Sequence, residues 1–117
     1  MPEIVALRAG SMRALPLASS GIVPGAVSLD SHFGGFGGSA RIEWPEWRAS
    51  LQLEVAGPFG WLVVYSPPGN DFFCAEPVTN SIDAFNLAAA GRTDTGMIVL
   101  APGAVAQGAM TLTPERQ

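Results

Sequence analysis

With 117 residues, 48% of them hydrophobic and only 14% charged, the chain has the size of one domain and enough apolar material to bury a core, which excludes intrinsic disorder. Its formal net charge is −4 and it contains no lysine, so the electrostatic footprint of a nucleic-acid binder or an anionic-membrane binder is missing. One cysteine, Cys74, and one histidine, His32, allow neither an internal disulfide nor an all-Cys/His zinc site, so no cofactor or metal is expected and a reducing, cytoplasmic setting fits.

The opening Met-Pro-Glu-Ile-Val-Ala-Leu-Arg lacks the basic start and long apolar stretch of a secretory signal, and no later run approaches the roughly 18 apolar residues of a membrane span. Within residues 1–28, Ile4, Val5 and Leu7 suggest one short strand before Pro16, Pro24 and several glycines interrupt any period. The stretch Gly34-Gly35-Phe36-Gly37-Gly38-Ser39-Ala40 contains a formal G-x-G-x-x-A, but a dinucleotide site needs that motif to open a helix, and here a strand pattern follows. It reads as a sharp glycine loop feeding a strand.

Ala40, Ile42 and Trp44 alternate with Arg41 and Glu43, and Leu51, Leu53 and Val55 alternate with Ser50, Gln52 and Glu54. Two half-buried strands are therefore predicted on either side of a Pro45-Glu46 turn. The unbroken apolar run from Trp61 to Tyr65 predicts a strand buried on both faces, ending in the loop Ser66-Pro67-Pro68-Gly69-Asn70. Phe72 to Ala75 starts another strand. Residues 83–90 are the one helical candidate, about two turns capped by Asp83 and stopped by Gly91. Residues 97–100 and 109–113 predict the last two strands, separated by Ala101-Pro102-Gly103. Short alternating strands joined by tight turns must bury one face against another layer, so the expected fold is all-β, an antiparallel β-sandwich in a single domain, 1–117.

Trp44, Trp47 and Trp61 are all of a type that stacks on sugar rings, but the strand pattern predicts core packing for Trp44 and Trp61 and a cross-strand role for Trp47. Phe59, Phe73 and Cys74 are read as buried apolar residues. No Walker loop, G-x-S-x-G elbow or paired histidines occur, which removes phosphate cradles, α/β-hydrolase-type serine chemistry and metalloenzymes of the HExxH kind.

Glu76 sits among apolar residues at the end of a strand, directly before Pro77. A carboxylate there is either exposed at a strand edge or held in a cleft, where desolvation would raise its pKa toward the range useful for proton transfer near neutrality. The residues alone leave both open.

Glu76-Pro77-Val78-Thr79 followed by Asp83-Ala84-Phe85-Asn86 resembles the signature around the catalytic glutamate of aldose 1-epimerases, the galactose mutarotase-like family. Upstream, Leu29-Asp30-Ser31-His32-Phe33 is similar to that family's sugar-contacting aspartate segment, and Ala40-Arg41-Ile42-Glu43-Trp44-Pro45 to a strand ending in Trp-Pro. Tyr65-Ser66-Pro67 stands where the family has Tyr-Thr-Pro, and Leu100-Ala101-Pro102-Gly103 resembles the turn before its last strand, in which Met110 would lie. The resemblance runs from about Gly21 to Thr113, most of this chain but well under half of a typical member.

The resemblance implies part of the galactose mutarotase-like supersandwich and interconversion of the α and β anomers of a free aldose such as galactose or glucose. In that family the glutamate takes the proton of the anomeric hydroxyl while a histidine protonates the ring oxygen. Carried over, Glu76 would be the base and Asp30 would hold sugar hydroxyls. The family's acid histidine comes from the preceding half of the fold and has no counterpart here, His32 does not stand at its place, and Asn80 replaces a common histidine. The expected partner is a free monosaccharide, with no nucleic acid and no membrane, together with a second copy of the chain or a missing N-terminal half. The alternatives are a non-catalytic carbohydrate-binding sandwich and a truncated remnant that self-associates.

Overall fold

The computed structural model describes residues 3–5, 29–67 and 72–116. Leu7, the prolines before residue 28 and the loop tip at 68–70 lie outside the described residues, as does the start of the resemblance at Gly21. The described chain is an all-β sandwich. Its strands are β1 (Glu3–Val5), β2 (Leu29–Gly34), β3 (Ser39–Trp44), β4 (Ala49–Ala56), β5 (Trp61–Ser66), β6 (Cys74–Val78) and β7 (Ala109–Arg116), with one short helix, α1 (Ala84–Ala89). β1, β3, β4 and β7 form a four-stranded sheet in the order β1-β3-β4-β7, and β2, β5 and β6 form a three-stranded sheet in the order β2-β5-β6. All pairings are antiparallel.

The hairpin of β3 and β4 follows directly from its alternation. Ala40 faces Leu53 and Ile42 faces Leu51, so both strands put their apolar set on one side. The turn between them is a single 3₁₀ turn, Pro45–Trp47, closed by Arg48 in the left-handed region at φ 49°. The glycine loop does feed a strand, with no helix after it: β2 ends at Gly34 and β3 begins at Ser39 in the other sheet. Gly35 at φ 68° and Gly38 at φ 95° supply the left-handed turns that let the chain change sheets, and the Phe36 N–H donates to the Gly60 carbonyl at 3.0 Å.

The core lies between the sheets. Ala40, Ile42 and Leu53 of one layer meet Phe33, Leu62 and Val64 of the other, with Phe36 sealing the glycine loop, and Trp44, Leu51, Val55, Phe73 and Ala75 pack around them half-buried. Burying a side chain such as Leu62 or Phe33 contributes about 1.5–3 kcal/mol each.

Four expectations need correction. β5 is not buried on both faces: Leu62 and Val64 are fully buried, but Val63 is half-buried and Tyr65 is 39% exposed, because among the described residues nothing covers that part of the opposite face. Residues 97–100 form no strand, since among the described residues no neighbour pairs with them and Ile98, Val99 and Leu100 are exposed. Trp47 is not a cross-strand core residue; it is 66% exposed and stacks on half-buried Trp44 with ring centroids 6.1 Å apart. Asp83 does occupy the N-cap position of α1, yet its carboxylate accepts from the Asn86 side-chain amide rather than from a backbone N–H, because its own backbone is left-handed at φ 60°. The helix does stop at Gly91, whose N–H donates to Ala88 while that of Arg92 reaches back to Leu87, a Schellman closure.

Candidate functional site

Antiparallel pairing puts directly opposed residues on the same side of a sheet, and residues two apart along a strand share that side. In the three-stranded sheet Asp30 pairs with Tyr65 and Tyr65 with Cys74; His32 pairs with Val63 and Val63 with Glu76; Gly34 pairs with Trp61 and Trp61 with Val78. These three rows make up the face turned away from the core. The register therefore brings Asp30, His32, Tyr65, Cys74 and Glu76 onto one surface.

That face is open at one end and roofed at the other. In the first row Asp30 and Tyr65 are exposed, and in the second Glu76 is exposed while His32 and Val63 are half-buried. In the third row Trp61 is 5% exposed although it belongs to the same face. The residues after β6 and those around Gly96 cover it. A Cβ on Gly96, which sits at φ 76°, would run into the Thr79 carbonyl oxygen and the Trp61 indole nitrogen, so the approach of these two segments over the indole requires glycine there.

Two hydrogen bonds hold the roof. The Ser81 N–H donates to the Thr95 carbonyl at 2.8 Å, and the Ile82 N–H donates to His32 Nδ1 at 2.9 Å. Thr95 is itself positioned by the turn before it, where the Arg92 guanidinium grips both carboxylate oxygens of Asp94, at 2.8 and 2.6 Å. The guanidinium holds the Asp94 carboxyl below its ordinary range, and the carboxylate pushes Arg92 up in turn. Under the roof Ser81 is 1% exposed and its Oγ has no hydrogen-bond partner, a desolvated hydroxyl that costs the closed arrangement about 1–3 kcal/mol.

The edge of this roof borders an open depression of about 500 Å³ lined by Phe59, Val63, Pro77, Val78 and residues 79–82. Val63 and Val78 are its floor on the outer face of the sheet, so it lies directly beside Glu76. Glu76 stands exposed on the edge strand β6 and is not enclosed in a cleft. Asn80, at the position where a histidine was expected, is occupied locally: its side chain accepts from Thr79 Oγ1 at 2.9 Å and donates to the Ser81 carbonyl at 3.0 Å.

Two residues of the site escaped the sequence reading. His32, given no role from the sequence, lies on β2 and ties down a backbone group fifty residues away, with its ring against Trp61 at 5.2 Å between centroids. Tyr65 stands between Asp30 and Cys74, and its presence at an odd position among valines was the available signal. A second, almost wholly apolar groove of about 330 Å³ lies far from these residues in the fold, on the other sheet, between the Trp44–Trp47 stack, Leu51 and Pro114, with Glu115 and Arg116 at its rim.

Among the described residues no group of three or more His, Cys, Asp or Glu side chains is placed to hold a metal ion, and no helix is long and apolar enough to cross a membrane. Comparison of the chain with protein-family models, with curated proteins and with solved structures finds no match.

Proposed function

We propose that the outer face of the β2-β5-β6 sheet is a monosaccharide site of the aldose 1-epimerase type, in which Asp30 holds sugar hydroxyls and Glu76 accepts the proton of the anomeric hydroxyl. The observation that carries this reading is the register itself, which puts both carboxylates on one face with Tyr65 and Val63 on the strand between them. A ring lying over Val63 would meet carboxylate oxygens from two directions, the arrangement that hydroxyl-rich ligands need. Ring opening also needs a proton donor to the ring oxygen. The resemblance puts its acid histidine in a part of the fold with no counterpart in this sequence, and the single histidine, His32, does not stand at that place, so in this reading the acid is supplied by another chain or another part of the protein. In isolation the chain binds a free aldose and accelerates its mutarotation weakly or not at all. A cytoplasmic location is part of the same proposal, on the strength of the lone cysteine.

A non-catalytic carbohydrate-binding sandwich is the second reading, favoured by the exposure of Glu76 and by the Trp47 ring lying open on Trp44 beside an apolar groove. Titration of ¹⁵N-labelled protein with D-galactose and D-glucose, alongside polarimetry on freshly dissolved α anomers, tests both. Amide shifts confined to residues around Asp30, Tyr65 and Glu76 support the first reading, shifts around Trp44 and Trp47 support the second, and no shift at millimolar sugar overturns both.

A further inference from the structure

We infer that His32 is a proton-controlled latch on the segment 79–82, closed when the imidazole is neutral and released when it is protonated. This stands apart from any sugar function. Its basis is the bond from the Ile82 N–H to His32 Nδ1, 2.9 Å long. A ring nitrogen accepts a hydrogen bond only through its lone pair, so closure requires Nδ1 unprotonated and assigns the proton of the neutral ring to Nε2. An imidazolium has donors on both nitrogens and faces the Ile82 N–H with a like dipole.

Besides the burial of Trp61 beneath it, the segment has few long-range hydrogen bonds to keep it closed. Among the described residues its other long-range bond is that from the Ser81 N–H to the Thr95 carbonyl, and against these stands the buried, unpartnered Ser81 hydroxyl, which water would satisfy in an opened state. Burial of Trp61 favours the closed segment and the unpartnered hydroxyl opposes it, and one of the bonds entering that balance is made to an imidazole, the side chain whose ordinary charge change falls between about pH 5 and 8. The segment roofs Trp61 and walls the depression beside Glu76, so opening would uncover the indole and widen the face.

Among the described residues the charged and titratable groups facing His32 are acids. On its own strand the nearest is Asp30, on the same face two residues away; across the sheet are Tyr65 on β5, and Cys74 and Glu76 on β6; Asp83 follows Ile82 in the segment itself. The segment over Trp61, residues 95–97, carries none, and behind it Arg92 and Asp94 neutralise one another. The Ile82 bond is made only to the neutral ring, so it favours closure, and protonation breaks it. Acidification opens the latch.

Hydrogen exchange of the Ile82 and Ser81 amides, followed with the imidazole ¹⁵N shifts, is the test. At pH 7.5 Nδ1 is expected to show the shift of an unprotonated nitrogen, and on acidification through the ring's titration the protection factors of Ile82 and Ser81 fall about fivefold more than those of Leu62 and Val64, the loss expected for one ordinary hydrogen bond. His32→Asn, whose side-chain oxygen can replace Nδ1 as acceptor but does not titrate, keeps Ile82 protected at both pH values. His32→Ala loses it at both, while Leu62 and Val64 stay protected and so report an intact sandwich. A ring that carries its proton on Nδ1 at pH 7.5 overturns the inference. So does titration of the ring with no differential change at Ile82, or a pH response that persists in His32→Asn.

Discussion

Asp30 and Glu76 stand on the same face of one sheet, on the two outer strands β2 and β6, one cross-strand row apart. With strands about 4.8 Å apart and about 3.4 Å of rise per residue, their Cα atoms are roughly 12 Å from each other. That leaves room between the carboxylates for a ring and its hydroxyls, with Tyr65 and Val63 beneath. The two side chains are expected to separate in function. Asp30→Ala weakens aldose binding tenfold or more, as removal of a charged hydrogen-bonding partner worth about 1.5–3 kcal/mol would. Glu76→Gln leaves binding within a factor of about three and removes whatever mutarotation the protein shows, measured by polarimetry. Equal loss of binding in both variants would show that Glu76 is a ligand-holding group and not a base.

The two faces of β5 predict a sharp asymmetry between neighbours. Leu62 is fully buried between the sheets, so Leu62→Ala costs about 2–5 kcal/mol by lost transfer energy and the cavity it leaves. Val63, half-buried over the open face, loses less than about 1 kcal/mol when cut to alanine. Urea denaturation of both variants measures the difference. Equal costs would mean that the outer face is covered in solution.

Gly96 and Gly91 offer a matched pair. Both have positive φ, 76° and 98°, but an added Cβ at Gly91 meets nothing within 4 Å, whereas at Gly96 it meets the Thr79 carbonyl and the Trp61 indole. Gly91→Ala therefore pays only the left-handed backbone penalty of about 1–2 kcal/mol. Gly96→Ala adds a clash that must lift the roof, for a total of about 3 kcal/mol and a red shift of Trp61 fluorescence as the indole meets water. A Gly96→Ala protein as stable as Gly91→Ala would show that the two segments do not close over Trp61.

How much of this was legible depended on whether one strand or two had to be known. The β3–β4 hairpin was plain because Ala40, Ile42, Leu51 and Leu53 alternate with polar residues, and alternation is a property of each strand alone. The outer face of β5 was hidden because Trp61, Leu62, Val63 and Val64 are all apolar, so periodicity had nothing to report. Residues 97–100 show the converse error, since an apolar run reads as a strand whether or not a partner lies beside it. The shared face of Asp30 and Glu76 depends on the register of two strands on β5, and the His32 bond to Ile82 spans fifty residues; neither is encoded in any local pattern. Their flanking segments are what single the two residues out in the sequence, through the resemblance alone.

The outer strand of the larger sheet carries the last prediction. β7 pairs with β4 along its whole length, and among the described residues nothing pairs with its other side. All eight of its residues are exposed. On the core-facing side of that sheet Met110 lies opposite Val55 and Leu112 opposite Leu53, yet Met110 is 54% and Leu112 49% exposed, because the three-stranded sheet does not reach across to them. A free edge with unpaired backbone groups and uncovered apolar side chains is a template for another strand. Natural edges are commonly blunted by lysine, which this chain lacks entirely; on β7 such devices stand only at one end, Pro114, which has no backbone donor, and the charged Glu115 and Arg116. We therefore expect self-association at micromolar concentration with β7 at the contact, and light scattering across a dilution series is the measurement. Leu112→Lys places a charge on the uncovered face and should shift the protein toward monomer without lowering its melting temperature at high dilution, since Leu112 is half outside the core already. A wild-type protein that stays a monodisperse monomer and melts cooperatively would mean that β7 is covered by other parts of the same chain, and the expectation of a partner copy would fall with it.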